Sequence, residues 1–125
     1  MIETILAIGS NCGDKEANVD AAVSWLHGAA KVETVSSFYS SPDIKGTGHT
    51  YLNAVVKALY VGSVEEFNSL IKNYEKQAGR DEECRSRGLV PIDIDIVIAE
   101  GVVLRPKDYR AEYFIKGFKE CQRLS

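Results

Sequence analysis

Pro91-Ile92-Asp93-Ile94-Asp95-Ile96-Val97-Ile98 is the stretch from which the rest of the chain can be read. Side chains on a β-strand alternate between faces. A strand here turns Ile92, Ile94, Ile96 and Ile98 toward a core and projects Asp93 and Asp95 side by side from the opposite face. Neighbouring carboxylates repel and resist desolvation unless a cation neutralises them. A hard divalent ion such as Mg2+, which takes carboxylate oxygens and keeps substrate phosphates among its ligands, meets that need. The same alternation also suits an edge strand with one wet face, so the carboxylates alone leave both readings open.

Upstream, residues 2–8 are nearly continuous apolar and stop at Gly9-Ser10-Asn11-Cys12-Gly13, which reads as a buried strand ending in a loop. Val19, Ala22, Val23 and Leu26 then recur at helical spacing, with Gly28 where a helix would stop. Residues 31–39 carry Val, Thr and aromatics without a helical stripe and read as one strand. A loop over 40–50 leads into a strand over 51–61, where Leu52, Ala54, Val56, Ala58 and Tyr60 share one face and Asn53 and Lys57 the other. Ser63 and Glu66 form a capping box for a helix whose apolar stripe is Phe67, Leu70, Ile71 and Tyr74 and whose end is Gly79. A charged loop over 80–91 enters the aspartate strand, Gly101 turns the chain into 102–104, and a short C-terminal extension has helical character.

The resulting order, β-α-β-β-α-β, is the split βαβ pattern of ferredoxin-like α+β folds: an antiparallel sheet with both helices on one face, the other face being left for ligands. With 125 residues, 45% of them hydrophobic, residues 1–125 fit one domain. Fifteen basic against 18 acidic side chains give a net charge of −3, which argues against a nucleic-acid partner. MIETILAIGS lacks both the basic start of a signal peptide and the length of a membrane span, so a cytoplasmic protein without a membrane partner is expected. Cys12, Cys84 and Cys121 are odd in number and widely spaced, which favours reduced thiols over a disulfide frame.

Three arginines, Arg80, Arg85 and Arg87, precede the aspartate strand. Guanidinium forks match phosphate oxygens, so a loop of this kind beside a D-x-D strand suits phosphoryl transfer. The bland reading pairs the arginines with Asp81, Glu82 and Glu83 in solvent. Tyr51 and Asn53 offer a ring and an amide able to stack on and hydrogen-bond a heterocycle, while Phe114 and Phe118 supply either a second stacking surface or core.

Taken in order, Ile8-Gly9-Ser10-Asn11, Ser36-Ser37-Phe38-Tyr39 with Ser41-Pro42, Tyr51-Leu52-Asn53-Ala54, Glu75 with Gly79-Arg80, and Asp93-Ile94-Asp95-Ile96 make the chain resemble the hydroxymethyl-dihydropterin pyrophosphokinase family. The resemblance implies transfer of pyrophosphate from ATP to the hydroxymethyl group of 6-hydroxymethyl-7,8-dihydropterin, with release of AMP, on a ferredoxin-like fold with two Mg2+ ions. It makes Asp93 and Asp95 the metal ligands, and with Arg80 the catalytic residues. Tyr51 would stack on the pterin, Asn53 would hydrogen-bond it, and Ser41, Pro42 and Ile44 would line its pocket, with Phe114, rather than Phe118, as the second stacking ring. Glu75 and Arg80 would lie on the nucleotide side.

The chain departs from the family where it has Val90 in place of an arginine three residues before the first aspartate; Arg85 or Arg87 then becomes the replacement phosphate contact. Glu82 stands where a basic residue is common, and Pro106-Lys107-Asp108 replaces a Pro-His pair, leaving Lys107 to meet a phosphate. The usual C-terminal extension is shortened at Ser125. Val90 and the short tail keep a second reading in view, a pterin- or nucleotide-binding relative with weak or no activity.

Overall fold

The computed structural model describes residues 1–42, 49–79 and 82–124. In chain order the elements are β1 (Ile2–Ser10), α1 (Lys15–Ala29), β2 (Lys31–Val35), β3 (Tyr39–Pro42), β4 (Thr50–Tyr60), α2 (Val64–Ala78), α3 (Glu82–Ser86), β5 (Asp93–Ala99), β6 (Val102–Val103), α4 (Pro106–Tyr109) and α5 (Glu112–Leu124). The strands form an open antiparallel sheet in the order β2-β4-β1-β5-β6, with β3 also paired to β4. β1 is central because both its faces are apolar. Leu6 and Ile8 enter one core and Ile5 the other.

Two helices cover the first face. Asp14 caps α1 by accepting from the Ala17 amide at 3.1 Å, and Val19, Ala22 and Leu26 are fully buried. Ser63 Oγ accepts from the Glu66 amide at 3.1 Å at the start of α2, as the capping signal requires. Phe67 and Ile71 of α2 are buried with Ile92, Ile94 and Ile96, and Phe67 stacks on Tyr60 with ring centroids 4.4 Å apart.

The opposite face is not left open along its length. Helix α5 packs across it, burying Phe114 and Cys121 against Val55, Val97 and Ile98. The expectation of helices on one face only is therefore corrected. The approach depends on Gly117, whose added Cβ would fall 2.5 Å from Val55 Cγ2 and 2.6 Å from the Tyr39 hydroxyl oxygen. That hydroxyl accepts from the Gly117 amide at 3.2 Å and donates to the Tyr113 carbonyl, fixing helix to sheet.

Two local irregularities depart from simple alternation. In the β1–β5 ladder, Leu6 pairs with Ile96 and Ile5 with Ile98, so Val97 is an extra residue. The bulge swings Ile98 to the α5 face, although Ile92, Ile94 and Ile96 stay on the other as the alternation requires. The strand expected over 31–39 is divided into β2 and β3. Between them, the Ser36 amide donates to the Val55 carbonyl at 2.9 Å and Ser36 Oγ accepts from the Val55 amide at 2.8 Å, so a side chain stands in for a ladder carbonyl.

The cysteines also depart from expectation. Cys12 and Cys84 form a disulfide across 72 residues, with Cα atoms 6.2 Å apart, and only Cys121 is a free thiol. Their meeting follows from a bracket between two loops: the Asn11 amide donates to the Val90 carbonyl at 2.9 Å, and Asn11 Oδ1 accepts from the Val90 amide at 2.5 Å. Cys12, Cys84 and Leu89 close into a small satellite core beneath them.

Two outcomes test this architecture. Gly117→Ala gains roughly 1 kcal/mol of helix propensity but meets overpacking of about 1–3 kcal/mol. A lower urea midpoint is expected, and a raised one would show that α5 does not lie so close to the sheet. Protein unfolded without reductant should titrate one thiol per chain, and three after reduction; three in both cases would remove the Cys12–Cys84 bond.

Candidate active site

The site grows from the register of three strands. Gly9 of β1 pairs with Asn53 on one side and Asp93 on the other, and Ala7 pairs in the next row with Val55 and Asp95. The central strand therefore presents its two smallest residues beside Asn53 on one neighbour and Asp93 and Asp95 on the other. The result is a cleft of about 230 Å³ floored by Ala7 and Gly9 and walled by Tyr51, Asn53, Asp93 and Asp95, with Ser41, Pro42, Asp108 and Tyr113 also lining it. A Cβ on Gly9 would sit 3.3 Å from the Tyr51 ring, tight enough to press on it, and 3.5 Å from Asn53 Oδ1, in ordinary contact.

Asn53 is buried and its amide orientation is set. Nδ2 donates to Ser41 Oγ at 2.7 Å and to the Tyr39 carbonyl at 3.2 Å, which turns Oδ1 toward Gly9 as an acceptor. Across the floor, burial raises the pKa of Asp95 to about 6, with the charge and hydrogen bond of Asp93 adding to it. Burial also raises Asp93, and Glu75 pushes in the same direction. Two carboxylates held close in a partly desolvated cleft favour a cation between them.

Basic side chains already approach from two elements. Lys72 Nζ lies 2.9 Å from Glu75 Oε1, 3.5 Å from Asp95 Oδ1 and 3.2 Å from the Ile94 carbonyl. Glu75 Oε2 in turn accepts from the Ile94 amide at 2.7 Å. Lys72 and Glu75 thus satisfy both main-chain groups of Ile94 on the outer edge of β5, as a neighbouring strand would. Arg105 for its part places Nη1 3.7 Å from Asp95 Oδ1 and donates from Nε to Asp108 Oδ2 at 2.5 Å. Asp108 Oδ1 accepts from the Tyr113 hydroxyl, which burial and that hydrogen bond drive to a higher pKa.

Asp93, Asp95, Tyr51, Asn53, Ser41 and Pro42 therefore line one cleft. Ile44 and Arg80 lie outside the described residues. Phe114 does not reach the cleft: it is fully buried under α5 and stacks on Phe118 at 5.3 Å, the neighbouring Tyr113 lining the cleft in its place. Glu75 serves the β5 edge and shares a surface groove with Arg85. Arg87 is exposed with Glu83 3.9 Å away, the arrangement the solvated reading of that loop expected. Lys107 is exposed on α4 and lines none of these clefts. Among the described residues no group of three or more His, Cys, Asp and Glu side chains is arranged to hold a metal. Asp93 and Asp95 offer two carboxylates, which fits an ion that completes its shell with water and substrate oxygens.

Sequence reasoning passed over Lys72, Arg105, Asp108 and Tyr113. One signal for Tyr113 was present. Residues 114, 117, 118 and 121 form the stripe of α5 that faces the sheet, and 113 sits on its border.

Residues 5–121 match the family model of 7,8-dihydro-6-hydroxymethylpterin-pyrophosphokinase. The chain belongs to this family. It is 33% identical over 109 residues to the 2-amino-4-hydroxy-6-hydroxymethyldihydropteridine pyrophosphokinase of Aquifex aeolicus, an alignment covering 86% of this chain and 67% of that protein. It is 28% identical over 97 residues to the folate synthesis bifunctional protein of Arabidopsis thaliana, covering 76% of this chain and 20% of the relative. It is 31% identical over 104 residues to a folic acid synthesis protein of Dictyostelium discoideum, covering 82% and 16%. The chain thus spans about two thirds of the first relative and a fifth or less of the other two. Membership makes it a pyrophosphokinase of folate biosynthesis, a diphosphotransferase using ATP and a pterin. No described helix is long and apolar enough to cross a membrane.

Glu75→Ala removes the acceptor of the Ile94 amide. A stability loss of about 1–3 kcal/mol is expected, with faster hydrogen exchange at Ile94. Unchanged exchange there would mean the edge is held by something else.

Proposed function

We propose that the cleft holds 6-hydroxymethyl-7,8-dihydropterin between the Tyr51–Asn53 wall and the Asp93–Asp95 wall, with ATP on the carboxylate side. The observation that carries this reading is the row Asn53–Gly9–Asp93. Adjacent strands lie about 4.8 Å apart, so an amide acceptor and a carboxylate face each other across two strand spacings over a floor without a side chain. That span suits a two-ring heterocycle carrying an exocyclic CH2OH. Asn53 Oδ1 accepts from the N–H-rich edge of the ring, Tyr51 covers a face, and the hydroxymethyl group is left pointing at the carboxylates.

Asp93 and Asp95 are the residues that would hold Mg2+, two ions in the family's reaction, which neutralise phosphate charge and orient ATP when bound. Release of AMP fixes the point of attack. The hydroxymethyl oxygen bonds to the β-phosphorus, the bond from that phosphorus to the α,β-bridging oxygen breaks, its electron pair leaves with AMP, and the hydroxyl proton passes to solvent. The chain's part is to bring the two reactants into line and keep them there. The strand order β2-β4-β1-β5, with α1 and α2 on one face, supports placing residues 1–125 as one ferredoxin-like domain carrying α5 as an added cover.

The direct test is AMP formation from ATP with and without the pterin. Asp93→Ala and Asp95→Ala should each lower turnover roughly a thousandfold or more, the consequence of losing several kcal/mol of charge stabilisation, with the fold kept. Near-normal turnover in either variant removes the metal assignment. Tyr51→Ala should weaken pterin binding by about 1 kcal/mol or more and leave nucleotide affinity alone, as read by calorimetry. Pterin binding without AMP formation by the unaltered protein would favour the inactive relative, a reading kept in view by Val90.

A further inference from the structure

We infer that Arg105, at the β6–α4 junction, is a phosphate-contacting guanidinium of this enzyme and supplies a contact that Val90 cannot make. The inference rests on the reading of the Asp93–Asp95 wall as the phosphate side of the cleft. Val90 is half-buried, and both its main-chain groups are engaged by Asn11, so nothing from that position reaches an anion. Lys72 is committed: its bonds go to Glu75, Asp95 and the Ile94 carbonyl, which accounts for an ammonium's three donors.

Arg105 differs in both respects. Its side chain is 49% exposed, and of its five donors one is fixed to Asp108 and one is turned toward Asp95 at 3.7 Å. The others meet no acceptor among the described residues. Asp108 holds the guanidinium beside the carboxylate pair, and the Tyr113 hydroxyl in turn holds Asp108. An arginine oriented in this way, with donors still free, matches two oxygens of one phosphate. Its neighbour Asp95 is the group that brings phosphate to the same place. When the β-phosphorus changes partners, the charge leaving on the α-phosphate side and the charge on the transferred pyrophosphate both develop beside this wall, where a fixed guanidinium stabilises them without reorganising.

The test compares Arg105→Ala, Arg105→Lys and the unaltered protein with Mg2+ present. α,β-Methylene-ATP binding is read by calorimetry, AMP formation by single-turnover assay, and pterin affinity separately. Arg105→Ala is expected to weaken analogue binding about tenfold or more and to slow AMP formation by at least as much, with pterin affinity changed less than about twofold. Arg105→Lys should fall between, because it keeps the charge and loses the fork. Added methylguanidine should restore part of the Arg105→Ala rate, which a purely structural role would not allow. Equal loss of pterin and nucleotide binding would overturn the inference, since Arg105 would then act only through Asp108 and Tyr113. Unchanged analogue binding in a folded Arg105 variant overturns it as well. If the unaltered protein makes no AMP, the activity reading fails by itself, while the analogue titration still decides the role of Arg105. If Arg105→Ala does not fold, the lysine variant carries the same comparison.

Discussion

The site depends on one constraint, the two-faced composition of β1. A central strand must bury both faces, and this one does so unequally. Leu6 and Ile8 fill the core under α1 and α2, while Ala7 and Gly9 leave the reverse face nearly bare. Because antiparallel register ties each of those small residues to one partner on β4 and one on β5, the same two positions set the depth of the cleft and the identity of its walls. A one-residue slip would send Asn53 and the aspartates into the apolar core. The large buried side chains on the other face oppose that slip, so the hydrophobic pattern that specifies the fold also specifies the site.

The cost of this arrangement is electrostatic. Asp93, Asp95 and Glu75 lie together, and burial alone is enough to disfavour the charged forms of the two aspartates. The structure answers with Lys72 from α2 and Arg105 from the β6–α4 junction, both beside Asp95 Oδ1. Lys72 also completes the open edge of β5 together with Glu75, so one pair of helix residues contributes both hydrogen bonds and charge. A helix side chain replaces a missing strand here because β6 pairs only with Ile98 and Ala99 and leaves Ile94 without a neighbour.

Much of this was legible in the sequence where the signal was local. The alternation of Ile92, Ile94 and Ile96 with Asp93 and Asp95 reports a property of one strand, and the cap at Ser63 is formed within four residues. What was not legible depends on partners far along the chain. Ile98 changes face because of a bulge defined against Ile5 and Leu6, and alternation within β5 contains no sign of it. Ser36 interrupts a strand only because its hydroxyl finds the Val55 amide. That Tyr113 rather than Phe114 lines the cleft depends on the face that α5 turns to the sheet, where Gly117 meets Val55. The disulfide lay further out of reach, since its cysteines meet through Asn11 and Val90, whose pairing no spacing rule expresses.

That same pairing sets the loop arginines apart from Arg105. Cys84 sits in the middle of α3, and its bond to Cys12, together with the Asn11–Val90 bracket at the far end of the segment, ties α3 to the β1–α1 loop at two points. Arg85 and Arg87 are carried on this tethered piece, Arg85 facing the groove beside Glu75 and Arg87 paired with Glu83. Arg105 lies on a separate junction, outside that tether, and already faces Asp95.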